Sequence, residues 1–159
     1  MYRIGMGYDS HRFVEGRPLV LGGVRIDHPL GLGGHSDGDA VLHAVTDAVL
    51  GAIGADDIGQ LFPDNDPKYA GADSAQFVRR AVALAGEKGY RAANCDVTVI
   101  AEAPRLAEHK AAMRQTLAAL LDLPSDAVAV KAKTNETMGA IGRGEGIAVM
   151  AVVMLTQAS

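Results

Sequence analysis

Gly146-Ile147-Ala148-Val149-Met150-Ala151-Val152-Val153-Met154-Leu155 is apolar at nearly every position. A half-buried strand alternates apolar and polar residues, whereas a continuous apolar run reads as a strand buried on both faces. One of those faces can meet helices, and the other needs a second sheet or another subunit. Because sheets and helices each bury a face against a neighbouring layer, the run predicts an α+β arrangement. Helices would cover one face of a small mixed or antiparallel sheet, with subunits packed on the other.

Outward from that run, residues 127–134 and 92–101 read as further strands, residues 2–10 as an N-terminal strand, and residues 18–27 as a strand pair broken at Gly22-Gly23. Helices are expected over residues 105–122, ended before Pro124, and over 73–88, stopped by Gly89. Residues 30–35 form a Gly-rich loop. A third helix is expected to start at Ser36 as N-cap, with Asp39 three residues on and an apolar stripe of Leu42, Val45, Val49 and Ile53. Residues 54–72 are rich in Gly, Asp and Pro without periodicity, which fits a lid or binding loop.

The 159 residues fit one domain, taken as 1–159. Hydrophobic residues at 48% and charged residues at 21% describe a globular chain. A formal net charge of -4 argues against a broad nucleic-acid surface, which needs clustered Lys and Arg. Cys95 is the single cysteine, so an intrachain disulfide and a Cys-rich zinc site are excluded, and Cys95 itself reads as a small buried hydrophobe. The N-terminus has neither the apolar stretch of a signal peptide nor the bias of a transit peptide, and no run has the length of a membrane span. The expectation is a soluble, cytoplasmic protein.

Any metal must then be held by His and carboxylates. Asp9 and His11 lie two apart on a strand and share a face. His43, a turn after Asp39, can meet them if its helix packs across the sheet. Two imidazoles and a carboxylate would leave a fourth tetrahedral position open, the mark of a catalytic rather than a structural site. The spacing alone fits equally well an Asp-x-His pair making ordinary hydrogen bonds, with His43 a satisfied helix histidine. His28 and His109 read as solvated, while His35 precedes the expected helix N-terminus, where backbone N–H groups attract anions.

Gly7-Tyr8-Asp9-Ser10-His11-Arg12, Gly34-His35-Ser36-Asp37-Gly38-Asp39, Asp57-Ile58-Gly59, Phe62-Pro63-Asp64 and Gly142-Arg143-Gly144-Glu145-Gly146 follow one another in the order and spacing of the 2-C-methyl-D-erythritol 2,4-cyclodiphosphate synthases, which the chain resembles over essentially its whole length. The resemblance implies a homotrimer with sheets facing the threefold axis and active sites between subunits. It implies cyclisation of 4-diphosphocytidyl-2-C-methyl-D-erythritol 2-phosphate with release of CMP, a lyase step of the non-mevalonate isoprenoid pathway.

By that resemblance Asp9, His11 and His43 hold Zn²⁺, and Glu136 holds Mg²⁺ or Mn²⁺ at the diphosphate. His35 and Thr134 take catalytic positions that stabilise the transition state, with Ser36 beside them, and Ser10, next to the metal ligands, is a substrate contact. Asp57, Ile58 and Gly59 form a ribose-contacting turn. Asp64 meets the erythritol hydroxyls, within a lid of Phe62, Pro63, Asp64, Asn65 and Asp66. Ala101, Glu102, Ala103, Pro104, Arg105, Leu106 and Ala107 form a cytosine pocket completed by Lys133 and Thr134, with Asn135 following. Arg143 is a candidate diphosphate ligand whose plainer role is an ion pair with Glu145. Asp37, Asp39 and Asp47 are helix-dipole or supporting candidates.

The chain departs from the family at Ala140, where an aromatic residue often lines an apolar cavity on the trimer axis. Lys133 and Asn135 also stand where Thr is familiar. The substrate's own 2-phosphate can serve as nucleophile, being mostly ionised near neutral pH with a second pKa of about 6. A zinc-dependent phosphohydrolase, or a metal- or nucleotide-binding module without turnover, is the competing expectation.

Overall fold

The computed structural model describes residues 1–63 and 65–158. Strand β1 (Tyr2–Val14) runs past the expected residue 10, because its backbone keeps finding partners: Arg12 pairs with Gly146, and Phe13 and Val14 pair with Leu32 and Gly31 of the short strand β4 (Gly31–Leu32). Between them, β2 (Leu19–Leu21) and β3 (Val24–Ile26) form the expected hairpin. Gly22 and Gly23 both take positive φ, as a two-residue hairpin turn of the right twist requires.

Helix α1 (Ala40–Ala52) does not begin at Ser36. Its cap is Asp39, whose Oδ1 accepts from Val41 N and Leu42 N at 3.1 Å. The same carboxylate accepts from Gly22 N at 2.9 Å and Gly23 N at 2.7 Å, so the hairpin turn and the helix start are pinned to one buried side chain. Burial pushes that carboxyl up to about 6 against the pull of the Gly23, Leu42 and Gly22 amides. Ser36 is buried in the preceding loop.

The segment 54–72, expected to be irregular, contains the short helix α2 (Ile58–Leu61) and a 3₁₀ turn at Pro67–Tyr69. Helix α3 (Ala75–Glu87) and strand β5 (Tyr90–Ile100) lie close to their expected places. Helix α4 (Lys110–Leu121) starts five residues later than residue 105 and ends at Asp122, whose φ of 53 closes it in the left-handed region. Strand β6 (Val128–Lys133), helix α5 (Gly139–Gly142) and strand β7 (Gly146–Gln157) complete the described chain.

The main sheet has the order β4-β1-β7-β5-β6. Strand β7 is antiparallel to both β1 and β5, and β6 runs parallel to β5, which makes the sheet mixed. Ile147, Val149, Ala151, Val153 and Leu155 of β7 are buried, in register with Gly5, Gly7, Asp9 and His11 of β1 and with Cys95, Val97 and Val99 of β5. Helix α1 lies on that face against β1. A Cβ on Gly5 would stand 1.8 Å from the Ala48 carbonyl oxygen, and one on Gly7 1.8 Å from that of Ala44, so the two glycines let the helix backbone rest on the strand. The core beneath is a single apolar cluster joining the sheet face to α1, α3, α4 and the β2–β3 hairpin.

Within one chain only one face of the run 146–155 is covered. Met150 and Val152 are 46% and 42% exposed, and Tyr2, Ile4, Met6 and Tyr8 of β1 flank them at 70%, 69%, 66% and 53%. Alternation sends these residues to the face opposite the helices. The helix layer covers one side of the sheet, and an apolar patch remains on the other.

Candidate active site

Asp9 and His11 project from the helix-covered face of β1 just beyond the start of α1, and His43 lies in the first turn of that helix. Asp9 Oδ2 stands 2.8 Å from His11 Nε2 and 3.0 Å from His43 Nδ1, and the two imidazole nitrogens are 3.1 Å apart. A tetrahedral centre with bonds of about 2.0–2.1 Å holds its donors about 3.3 Å from one another. This triangle is therefore of a size and donor chemistry to close on one small divalent cation, and each residue offers one ligand atom to it.

Burial would raise the Asp9 carboxyl, but the hydrogen bonds and charges of His11 and His43 overcome it and hold Asp9 far below the usual carboxylate range. Burial likewise works to lower His11. The hydrogen bond and charge of Asp9, with the Gly33 backbone, win against it and against nearby Arg17, so His11 binds its proton more tightly than a free imidazole.

The triad opens into a cavity of about 370 Å³ lined also by Gly34, His35, Ser36, Ile58, Gly59, Phe62, Tyr69 and Phe77. Its aromatic wall is a trio in which the Phe62 and Phe77 rings are 4.7 Å apart and Tyr69 lies 5.6 Å from each. Residues 65–72 fold back onto the Gly-rich loop: His35 Nε2 is 3.1 Å from the Asp66 carbonyl, and Gly71 N donates to the His35 carbonyl at 2.8 Å. Asp57 caps α2 through Gln60 N at 3.0 Å, and Asp47 accepts from Ile58 N at 2.8 Å, which ties that turn to α1. Burial raises the Asp47 carboxyl, and the charges of Asp57 and Asp9 add to the effect against the Ile58 amide.

A second cavity, of about 240 Å³, is lined by Ala101, Glu102, Pro104, Arg105, Leu106, Ala107, Lys110, Ala132, Lys133 and Thr134. Glu102 Oε1 accepts from Asn135 N at 2.8 Å and Thr137 N at 3.2 Å, so its carboxylate organises the turn carrying Glu136. Glu136 and Thr137 both take positive φ, and Thr134 Oγ1 donates to Glu136 Oε1 at 3.1 Å. The two cavities share no lining residue. Strands β1 and β6 are three strand spacings apart, about 14 Å, and His35 lines the first cavity while Thr134 lines the second.

Not every expected residue lines the two cavities. Ser10 alternates to the sheet face opposite Asp9 and His11 and does not line the first cavity. The helix N-terminus expected directly after His35 lies four residues further on, at Ala40, where the N–H groups of Val41 and Leu42 donate to Asp39. Pro63, Asn65 and Asp66 do not line the cavity, although Asp66 reaches His35 through its backbone and pairs with Lys68 at 2.9 Å. Ala103 is exposed and outside the second cavity. Asp64 lies outside the described residues. His28 and His109 are half-buried rather than solvated, with His28 Nδ1 2.9 Å from the Leu30 carbonyl. Arg143 pairs with Glu145 at 2.6 Å, the plainer of its two expected roles.

Four contributors escaped the sequence reading. Arg17 reaches from the loop before β2 to the carbonyls of Gly34 and Ser36. Ser74 meets His43, and Tyr69 and Phe77 build the aromatic wall. None has a motif of its own; only the antiparallel return of the chain brings them here.

A model of the YgbB family matches residues 2–156. The chain belongs to the YgbB family. Among its curated relatives, the 2-C-methyl-D-erythritol 2,4-cyclodiphosphate synthase of Geobacillus kaustophilus is 55% identical over 155 residues, 98% of each chain. That of Dechloromonas aromatica is 54% identical over 154 residues, 97% of this chain and 96% of the relative. Among solved structures, a CDP complex from Plasmodium falciparum superposes with a TM-score of 0.87 at 36% identity, covering 99% of this chain and 97% of that one. The YgbB match therefore extends over both cavities.

Proposed function

We propose that this chain is a 2-C-methyl-D-erythritol 2,4-cyclodiphosphate synthase, a phosphorus-oxygen lyase of isoprenoid precursor synthesis. Its substrate would be 4-diphosphocytidyl-2-C-methyl-D-erythritol 2-phosphate and its products the cyclic diphosphate and CMP. The observation that carries this is the convergence of Asp9, His11 and His43 at the mouth of a cavity also lined by His35, Ser36, Gly59 and Phe62, in a chain related end to end to enzymes of that name.

In the reaction an oxygen of the substrate's 2-phosphate bonds to the β-phosphorus, and the bond from that phosphorus to the bridging oxygen of CMP breaks. No protein nucleophile is needed. Zn²⁺ held by Asp9, His11 and His43, with Mg²⁺ or Mn²⁺ at Glu136, would supply Lewis-acid polarisation and neutralise phosphate charge. His35 and Thr134 would donate to the phosphoryl oxygens as charge shifts between them. Phe62, Tyr69 and Phe77 wall the cavity with apolar surface that excludes competing water. Asp57, Ile58 and Gly59 would hold the ribose, and the second cavity the cytosine.

Because His35 and Thr134 line separate cavities of one chain, the working site combines the first cavity of one subunit with the second cavity of a neighbour. The apolar patch of Tyr2, Ile4, Met6, Tyr8, Met150 and Val152 supports a homotrimer with sheets facing its axis. Each chain is read as one catalytic domain. No helix among the described residues is long and apolar enough to cross a membrane, and a cytoplasmic enzyme is the reading that fits this function.

Incubation with the cytidylyl substrate, Zn²⁺ and Mg²⁺, followed by ³¹P NMR, tests the proposal. Cyclic diphosphate with equimolar CMP is expected. A linear bisphosphate with CMP would mean that water is the nucleophile and the enzyme a hydrolase.

A further inference from the structure

Behind His43 lies a chain of polar side chains that the reaction does not touch. His43 Nε2, the nitrogen turned away from Asp9 and His11, is 2.9 Å from Ser74 Oγ and 3.0 Å from Ser36 Oγ. Ser74 is fully buried, at 0% exposure. Its hydroxyl donates to Asp37 Oδ1, and its backbone N–H donates to Asp37 Oδ2 at 3.1 Å. Asp37 is fixed in turn, because its Oδ1 also accepts from Asp39 N at 3.1 Å and its own N–H donates to the Ala72 carbonyl at 3.0 Å.

We propose that Asp37 and Ser74 form a relay that fixes the tautomer and ring orientation of His43, making them positioning residues for the metal ligand. The inference rests on the metal reading above. Its logic is a count of protons. An ionised carboxylate only accepts, so the Ser74 hydroxyl must give its proton to Asp37. Ser74 Oγ can then only accept, from His43 Nε2 at 2.9 Å or from the Ser36 hydroxyl at 3.3 Å, and the imidazole is the nearer of the two. In the metal-loaded protein Nδ1 would give its lone pair to the cation in place of its hydrogen bond to Asp9, so the ring proton would sit on Nε2 and be donated to Ser74 Oγ. Metal-binding histidines are commonly held by a carboxylate or carbonyl behind the ring. Here a serine is interposed, which places Asp37 one side chain further from the cation. The relay also joins three segments, the Gly-rich loop through Asp37, the start of α3 through Ser74, and α1 through His43.

The full chain, stripped of metal, is titrated with Zn²⁺ against a chromophoric chelator as wild type, S74A and D37N, with thermal unfolding of each metal-free protein alongside. D37N is expected to weaken zinc binding about 10–100-fold. An amide nitrogen at Oδ2 would face the Ser74 N–H, and at Oδ1 it would face the Asp39 N–H and turn the Ser74 hydroxyl toward His43. S74A is expected to lose less, because Ser36 Oγ remains within reach of Nε2. Saturated Co²⁺ complexes of the variants should show shifted visible absorption bands, which a merely structural role would not produce. In the zinc-loaded wild type, the His43 Nε2–H should appear by NMR as a slowly exchanging proton, a readout that needs no variant to fold. Unchanged affinity and spectra in both variants, or rapid exchange of that proton, would overturn the relay alone. A wild-type chain that binds neither ion would overturn the metal reading together with it.

Discussion

At the scale of single residues, the three donors at the heart of the site stand 2.8 to 3.1 Å apart and share one carboxylate charge. Beside that charge His11 holds its proton more tightly than a free imidazole. The depressed Asp9 carboxyl contributes stability that is present above its unfolded pKa and is lost as pH falls through the folded value. The raised His11 contributes stability that is present below about 6.5 and is lost as pH rises through its folded value. The melting temperature of metal-free protein should therefore fall as pH rises above about 6.5, and Asp9→Asn should flatten that slope. A metal ion competes with the same proton, so zinc affinity is expected to rise over the same interval, which chelator competition at several pH values would read. Glu136 stands in a separate turn, beside Thr134 and anchored through Glu102. Glu136→Ala should cut turnover about 100-fold or more while zinc still binds one ion per chain by metal analysis; loss of that zinc would show that the two metal sites are not separate.

At the scale of elements, what matters is how α1 delivers His43 to β1. The apolar stripe announces the helix, but its first residue depends on which carboxylate can reach the free N–H groups. Asp39 wins because the β2–β3 hairpin turn arrives against it, a contact between segments that periodicity does not encode. Gly5 and Gly7 then set the distance between helix and strand. Gly7→Ala would drive a methyl into the Ala44 carbonyl. The expected cost is about 2–3 kcal/mol, or roughly 5–10 °C in melting temperature, with a larger loss of zinc affinity than an equally destabilising change in α4. Calorimetry and metal titration together check this, since a loss of stability without loss of affinity would separate the packing from the site.

At the scale of the whole molecule, two features stand apart from the helix-covered core, the apolar patch of β1 and β7 and a pair of cavities that share no lining residue. Packing the patch of each chain around a common axis would bury it and allow the first cavity of one subunit to meet the second cavity of the next. Light scattering should give three times the chain mass at micromolar concentration. Ile4→Asp, which places a charge at the centre of the patch away from both cavities, should reduce that mass and lower activity by about 100-fold or more, with zinc still bound.

The sequence by itself determined the strands and helices with the strongest periodicity, the β2–β3 turn at Gly22-Gly23 and the family, and through the resemblance it singled out Asp9, His11 and His43, which the fold brings together as a group that could hold a metal ion. Those properties are local, or lie in short motifs whose order is preserved. Only the tertiary structure decided that α1 starts at Asp39, that Ser10 turns away from the metal ligands, and that Ser74, Arg17, Tyr69 and Phe77 belong to the site. Each of these depends on a backbone N–H, a strand face or a buried hydroxyl finding its partner from a distant segment, and spacing along the chain does not carry that information. The apolar run 146–155 belongs to both sides. Its composition calls for burial on two faces, and the fold of one chain covers only the face turned to the helices.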